Sequence, residues 1–154
     1  MEVRIVTFPE TRVASITHLG PPEAEHATVR KLIAWKLDNG LLDPVKYRSY
    51  GLHYTDSRIG KREEHRVDFC LSVDGDVADN PYGIEPRTIP RMKCACARDI
   101  GSRLNNRGAA YLYEKWLPSS GQELSGYPII FHYVNVGPNV KDEEAVTDVY
   151  MPLK

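Results

Sequence analysis

The side chains in this sequence best suited to chemistry are aromatic: nine tyrosines against three phenylalanines and two tryptophans. A ring offers a large apolar body and an electron-rich face, and a tyrosine hydroxyl or indole N–H adds a polar tip. Such groups stack on flat hydrophobic molecules or hold a cation. Phe131 and Tyr133 stand two apart in a strand-like run and so share one of its faces. Tyr54 closes a similar run, Leu52-His53-Tyr54, while Trp35, Tyr113 and Trp116 sit in helix-like stretches. The same residue types build cores and cross-strand pairs, so position alone leaves both uses open.

Groups that break bonds are less well placed. Glu114, the acid nearest these aromatics, lies two residues before Trp116, about 200° around a helix from it, and should face water. Asp68 and Asp148 occupy matching strand positions that suit turn amides or arginines. His53 and His132 alternate away from Tyr54 and Tyr133, and five scattered histidines make no metal site, so neither metal nor cofactor is expected. Gly20-Pro21-Pro22 lacks phosphate-loop spacing, and Ser119-Ser120-Gly121 lacks the nucleophile-elbow pattern. Cys70, Cys94 and Cys96 have no second pair at metal-finger spacing and read as buried, reduced thiols.

The chain of 154 residues fits a single domain, residues 1–154, able to bury about two-thirds of its unfolded surface. Its 42% hydrophobic and 27% charged residues are ordinary for a folded protein. The formal charge is -1, and the densest basic cluster, Lys61, Arg62 and Arg66, is interrupted by Glu63 and Glu64. That balance argues against nucleic acid as a direct partner. No apolar leader core and no membrane-length apolar run occurs, so a cytoplasmic protein without a membrane partner is expected.

What must position the aromatics is an internal repeat. Gly20 and Gly101, Trp35 and Trp116, and Gly40 and Gly121 are each separated by 81 residues. Leu52-His53-Tyr54 answers Phe131-His132-Tyr133 at 79, which makes Tyr54 the repeat-mate of Tyr133, and Val67-Asp68-Phe69 answers Thr147-Asp148-Val149 at 80. Two copies of a strand-helix-strand-strand unit result, one over about 1–75 and one over about 86–154, a pseudo-two-fold duplication and not a solenoid.

Local patterns support the elements. Pro21 and Pro22 suit the first turn of a helix, where a missing N–H costs nothing, and Gly40 suits its end. Ala109, Leu112, Tyr113, Trp116 and Leu117 form one apolar helical stripe. Val67, Phe69, Leu71 and Val73 alternate as in a half-buried antiparallel strand. Segment 74–90 reads as the linker between the halves and 136–145 as a hairpin loop. The class expected is α+β, with helices on one side of an antiparallel sheet.

In order along the chain, His18-Leu19-Gly20-Pro21, the Leu32 to Trp35 stretch, Gly51 to Asp56, Arg66-Val67-Asp68, Trp116 to Gly121, Pro128 to Tyr133 and Thr147 to Pro152 resemble the GyrI-like family. That family includes a gyrase-inhibitory protein and the effector domains of Rob- and BmrR-type regulators. The resemblance spans nearly the whole chain. It implies a curved antiparallel sheet with two main helices and an aromatic-rimmed cavity near the pseudo-two-fold, which in regulators takes bulky, often cationic, drug-like molecules. The implied walls here are Trp35, Tyr54, Tyr113, Trp116, Phe131 and Tyr133. Many relatives carry a glutamate two residues before the tyrosine equivalent to Tyr133, facing the ligand's charge; this chain has Phe131. A phenylalanine ring face retains a cation with only about 0.5–2 kcal/mol.

The resemblance therefore implies stand-alone binding of a bulky hydrophobic aromatic compound, cationic or not, with no room for a helix-turn-helix. Two other uses stay open. Some relatives hydrolyse reactive cyclopropane-bearing genotoxins with an acid and a tyrosine; Phe131 removes the obvious acid, leaving Glu85, Glu123 or another acid to substitute by folding inward. A gyrase-inhibitor-like role would use an outer surface to bind a protein, and nothing in the sequence marks one.

Overall fold

The computed structural model describes residues 1–54, 61–103 and 106–154, so the Thr55-Asp56 end of the Gly51 to Asp56 motif lies outside the described residues. Eight strands and two main helical stretches follow in order: β1 (Val3–Phe8), β2 (Thr11–Leu19), α1 (Glu25–Asp38), β3 (Ser49–His53), β4 (Arg66–Ser72), β5 (Glu85–Ile89), β6 (Met92–Ile100), α2 (Arg107–Tyr111), a π-helical segment (Leu112–Trp116), α3 (Leu117–Ser120), β7 (Ile129–Tyr133) and β8 (Val146–Pro152). Two compact bodies form, one from Thr11–Ile89 and one from Met1–Glu10 with Pro90–Lys154.

In the first body the strands run β3-β4-β2-β5, every pair antiparallel, and α1 packs on β2 and β4. Pro22 opens a short 3-10 turn ahead of α1, where its missing N–H has no partner to lose. The helix buries Leu32 and Trp35, one turn apart, and leaves its outer side wet. Gly40 takes the left-handed conformation, φ 66°, that stops the chain just beyond it.

The second body repeats the plan: β1-β6-β8-β7, antiparallel throughout, with α2 on β6 and β8. Ala95, Ala97, Leu112, Ile129, Val149, Met151 and Leu153 form its core. Close seating of α2 depends on Gly108, where an added Cβ would come within 3.2 Å of Val149 Cγ2.

The strand-helix-strand-strand order is thus present in both bodies, and each holds a further edge strand that the repeat reading does not contain. Segment 74–90 is not merely a linker: its end is β5, which pairs with β2. The Glu-Pro-Arg opening of β5 disguises it, because proline and charge are tolerated on an edge strand whose outer groups face water. β1, which the repeat reading includes in the first copy, pairs with β6 and so joins the second body.

Equivalent backbone bonds fix the repeat at atomic level. Gly20 donates to the His65 carbonyl at 2.9 Å and Gly101 to that of Ala145 at 2.8 Å; Val73 donates to Arg12 at 3.0 Å and Leu153 to Lys93 at 2.9 Å. The β3/β7 equivalence, however, corrects the sequence match. His53 pairs opposite Val67 and Tyr133 opposite Thr147, so His53 and not Tyr54 answers Tyr133. Tyr54 answers Val134, since Tyr54 N–H donates to Arg66 and Val134 N–H to Val146. A slip of one residue moves a strand side chain to the other face.

β4 is also more deeply placed than its alternation implies. Val67, Phe69 and Leu71 are buried, but so are Asp68, Cys70 and Ser72 on the opposite face. That face is tolerable because each polar group is partnered: Asp68 by Thr17 and arginines, Cys70 by Ser15, and Ser72 by the Arg48 N–H.

Candidate functional site

The aromatics that gather are those of the second body. Register places Phe131 opposite Val149 and Tyr133 opposite Thr147, so both point to the sheet face that carries Val149 and Met151. Trp116, Leu117 and Phe131 are half-buried against that core. The helix reaches it through a π turn: Leu117 N–H bonds the Leu112 carbonyl, five residues back. The widened turn seats Leu112, Trp116 and Leu117 on the core and leaves Tyr113 41% exposed, off the stripe where α-helical spacing puts it.

At the end of this aromatic row stands a cation. The Arg103 guanidinium carbon is 5.3 Å from the centre of the Tyr133 ring. Its Nε donates to Thr147 Oγ1 at 3.1 Å, and its Nη2 to Asn135 O at 2.8 Å, Asn135 Oδ1 at 3.1 Å and Val146 O at 2.9 Å. All these acceptors are neutral. Burial holds the Arg103 pKa below its ordinary value, and Tyr133 opposes the shift. The side chain stays charged, because no protein environment deprotonates arginine. Sequence reading missed Arg103; the signal available was an arginine two residues after Gly101, in the loop between β6 and α2, and its side chain reaches β8.

The aromatics of the first body are engaged in other work. Trp35 is 5% exposed and belongs to the core under α1. Tyr54 is tied into an ionic cluster: Arg66 covers its ring at 4.0 Å, Arg87 Nη2 donates to its hydroxyl at 2.6 Å, and both arginines bind Asp68, which also accepts from Thr17 Oγ1 at 2.7 Å. Burial pushes the Tyr54 phenol up, while the Arg87 hydrogen bond pulls it down. Asp68 and Asp148 are therefore arginine anchors, as their strand positions led one to expect; Arg98 holds Asp148 at 2.7 Å.

The glutamates weighed from the sequence all stand at the surface. Glu123 is exposed and pairs with Lys154, Glu85 is exposed on β5, and Glu114 is exposed as expected. A depression of about 340 Å³ beside β5 is lined by Arg12, Val13, Val73, Val77, Pro86 and Arg87; it is polar and contains none of the six aromatic candidates. Among the described residues no group of histidine, cysteine or acidic side chains is arranged to hold a metal, and no helix is long and apolar enough to cross a membrane.

The sequence profile of the family described as a GyrI-like small molecule binding domain matches residues 1–154. The chain belongs to the GyrI-like family. Among curated relatives, the "Probable transcriptional regulator YgiV" of Escherichia coli K12 is 32% identical over 154 residues, covering 99% of this chain and 96% of the relative. Among solved structures, the EcmrR C-terminal domain superposes with a TM-score of 0.76 at 17% identity, covering 99% of this chain and 97% of that one; in the EcmrR–DNA complex the TM-score is 0.77, and the match spans 57% of the longer chain. SAV2435, solved with tetraphenylphosphonium bound, gives a TM-score of 0.57 at 12% identity over 100% of this chain and 94% of that one. These structural likenesses establish the α+β fold of the GyrI-like effector-binding domains, as the sequence pattern implies.

Proposed function

We propose that this GyrI-like domain binds a bulky, ring-bearing hydrophobic compound on the helix-side face of the second repeat, with Trp116, Phe131 and Tyr133 as its contacts. One observation carries the reading: two large aromatic side chains stay half-buried against a completed aliphatic core, and a third continues their row. Residues that serve only as filling are normally covered. Large aromatics left half-open over a closed core offer ring faces to a partner, and burying them on binding supplies about 25 cal/mol for each Å² of apolar surface.

Binding of tetraphenylphosphonium by SAV2435 lends the reading support at the level of fold. Trp35, Tyr54 and Tyr113 drop out of the proposed contacts, because one fills a core, one is held by arginines and one is exposed and not among the residues packed on the second core. The role that follows is sensing or sequestration of such a compound, without turnover.

A thermal-shift screen of bulky aromatic compounds tests this. A ligand at a hundred times its dissociation constant stabilises the folded state by about 2.7 kcal/mol. Phe131→Ala and Trp116→Ala should each shrink the shift; shifts unchanged in both variants would remove the site from the second repeat.

A further inference from the structure

The geometry points to an anionic ligand: we infer that the aromatic site of the second repeat takes a ring-bearing carboxylate or similar organic anion, whose charge is received by Arg103. This rests on the site proposed above and adds the sign of its ligand's charge.

Three observations converge. First, where a cation-selecting site needs a carboxylate, the row carries Phe131, and β7 supplies Ile129, Phe131 and Tyr133 to that face with no acidic residue among them. Second, the tyrosine ring face best placed to hold a ligand's cation is already used, since Arg103 lies over Tyr133 at 5.3 Å. A second cation beside it would meet like charge at short range. Third, Arg103 is a half-buried guanidinium whose hydrogen-bond partners among the described residues are a threonine hydroxyl, an amide oxygen and two carbonyls. Arg98 and Arg107 of the same body are, by contrast, each paired with a carboxylate, Asp148 and Asp99.

The arrangement is prepared for an incoming anion. Nε and Nη2 are committed to four acceptors, which pin the plane of the guanidinium against β8 and the Asn135 turn. Nη1 makes none of the hydrogen bonds among the described residues, so its donors remain for a ligand. A charge removed from water without a counter-charge is costly, and a ligand that supplies the counter-charge recovers part of that cost on binding. The order Ile129, Phe131, Tyr133, Arg103 then reads as an apolar floor ending in a positive head, complementary to a molecule with a ring system at one end and a carboxylate at the other.

The test uses three probes on one ring system: 2-naphthoate, 2-naphthamide and (2-naphthylmethyl)trimethylammonium, titrated into the intact protein by calorimetry at pH 7. The expected result is naphthoate binding about ten-fold tighter than the amide, with the ammonium weakest. Arg103→Gln should abolish the naphthoate preference, bringing the naphthoate and amide affinities together. Because Arg103 also ties loop to strand and its loss could unfold the body, the wild type supplies a second measurement: the naphthoate-to-amide ratio should fall several-fold between about 20 and about 500 mM NaCl. Amide binding with no naphthoate preference, or a preference for the ammonium, overturns the inference alone. Failure of all three probes to bind overturns the site itself and the inference with it.

Discussion

His53 and Tyr133 hold the same place in the two repeats, one opposite Val67 and the other opposite Thr147. The visible match of Leu52-His53-Tyr54 with Phe131-His132-Tyr133 is therefore out of register by one residue, and Tyr54 leaves its strand on the face opposite to that of Tyr133.

The consequence is that these two tyrosines should respond differently to substitution. Tyr133→Ala removes a ring from the aromatic row and should weaken naphthamide binding about five-fold or more. Tyr54→Phe removes the hydroxyl that receives Arg87, which should cost about 1 kcal/mol of stability in urea unfolding and change naphthamide affinity less than two-fold. Equal effects on affinity would mean that the faces are misassigned.

Much of this was legible beforehand, and the misses have physical causes. Glycines at helix ends and tryptophans on helix faces keep their spacing because φ and core volume constrain them, and so the duplication could be read. The β3 to β7 slip could not, because His-Tyr recurs in both strands and a strand's register is set by its partners. Tyr113 lies outside the packed stripe because Leu112–Trp116 forms a π turn that nothing in its residues announces. Arg103 was passed over because a loop arginine ordinarily faces water, and only the folded chain shows its four bonds and the ring beneath it.

Asp68 and Asp148 are repeat-mates whose environments differ enough to separate their energetics. Asp68 is 1% exposed and serves Thr17, Arg66 and Arg87 together, whereas Asp148 is 9% exposed and its partner Arg98 is 55% exposed. Breaking a buried charge pair costs about 3–5 kcal/mol, and a solvent-screened one about 1 kcal/mol or less. Asp68→Asn should therefore lower unfolding free energy several times as far as Asp148→Asn. Comparable losses in the two variants would show that burial is not what distinguishes them.

The cysteines should be silent in the native protein. Burial pushes the Cys70 thiol up to about 11 and the Cys94 thiol up to about 12, and it raises Cys96 as well. At pH 8 almost no thiolate is present to attack a disulfide reagent, and the sulfurs are covered besides. Treatment with dithiobis(nitrobenzoate) should label none of the three in buffer and all three in urea. Rapid labelling of the native chain would place at least one thiol at the surface.

His53 should make stability fall with acid. Burial, reinforced by the nearby His65, holds its imidazole down to about 4, below the ordinary 6.5. A histidine depressed in the folded state favours folding through its neutral form. Its contribution is complete above pH 6.5, where both folded and unfolded chains are neutral at this site, and is lost as pH falls from 6.5 toward 4, where the unfolded chain takes up the proton first. A gap of roughly 2.5 pH units corresponds to about 3 kcal/mol. The comparison must be with a protein differing only at residue 53. Urea unfolding of wild type and His53→Gln at intervals from pH 7 to pH 4 isolates the contribution. The wild type should lose about 3 kcal/mol more than the variant across that window, and curves that stay parallel would show that the imidazole of His53 titrates alike in the folded and unfolded chains.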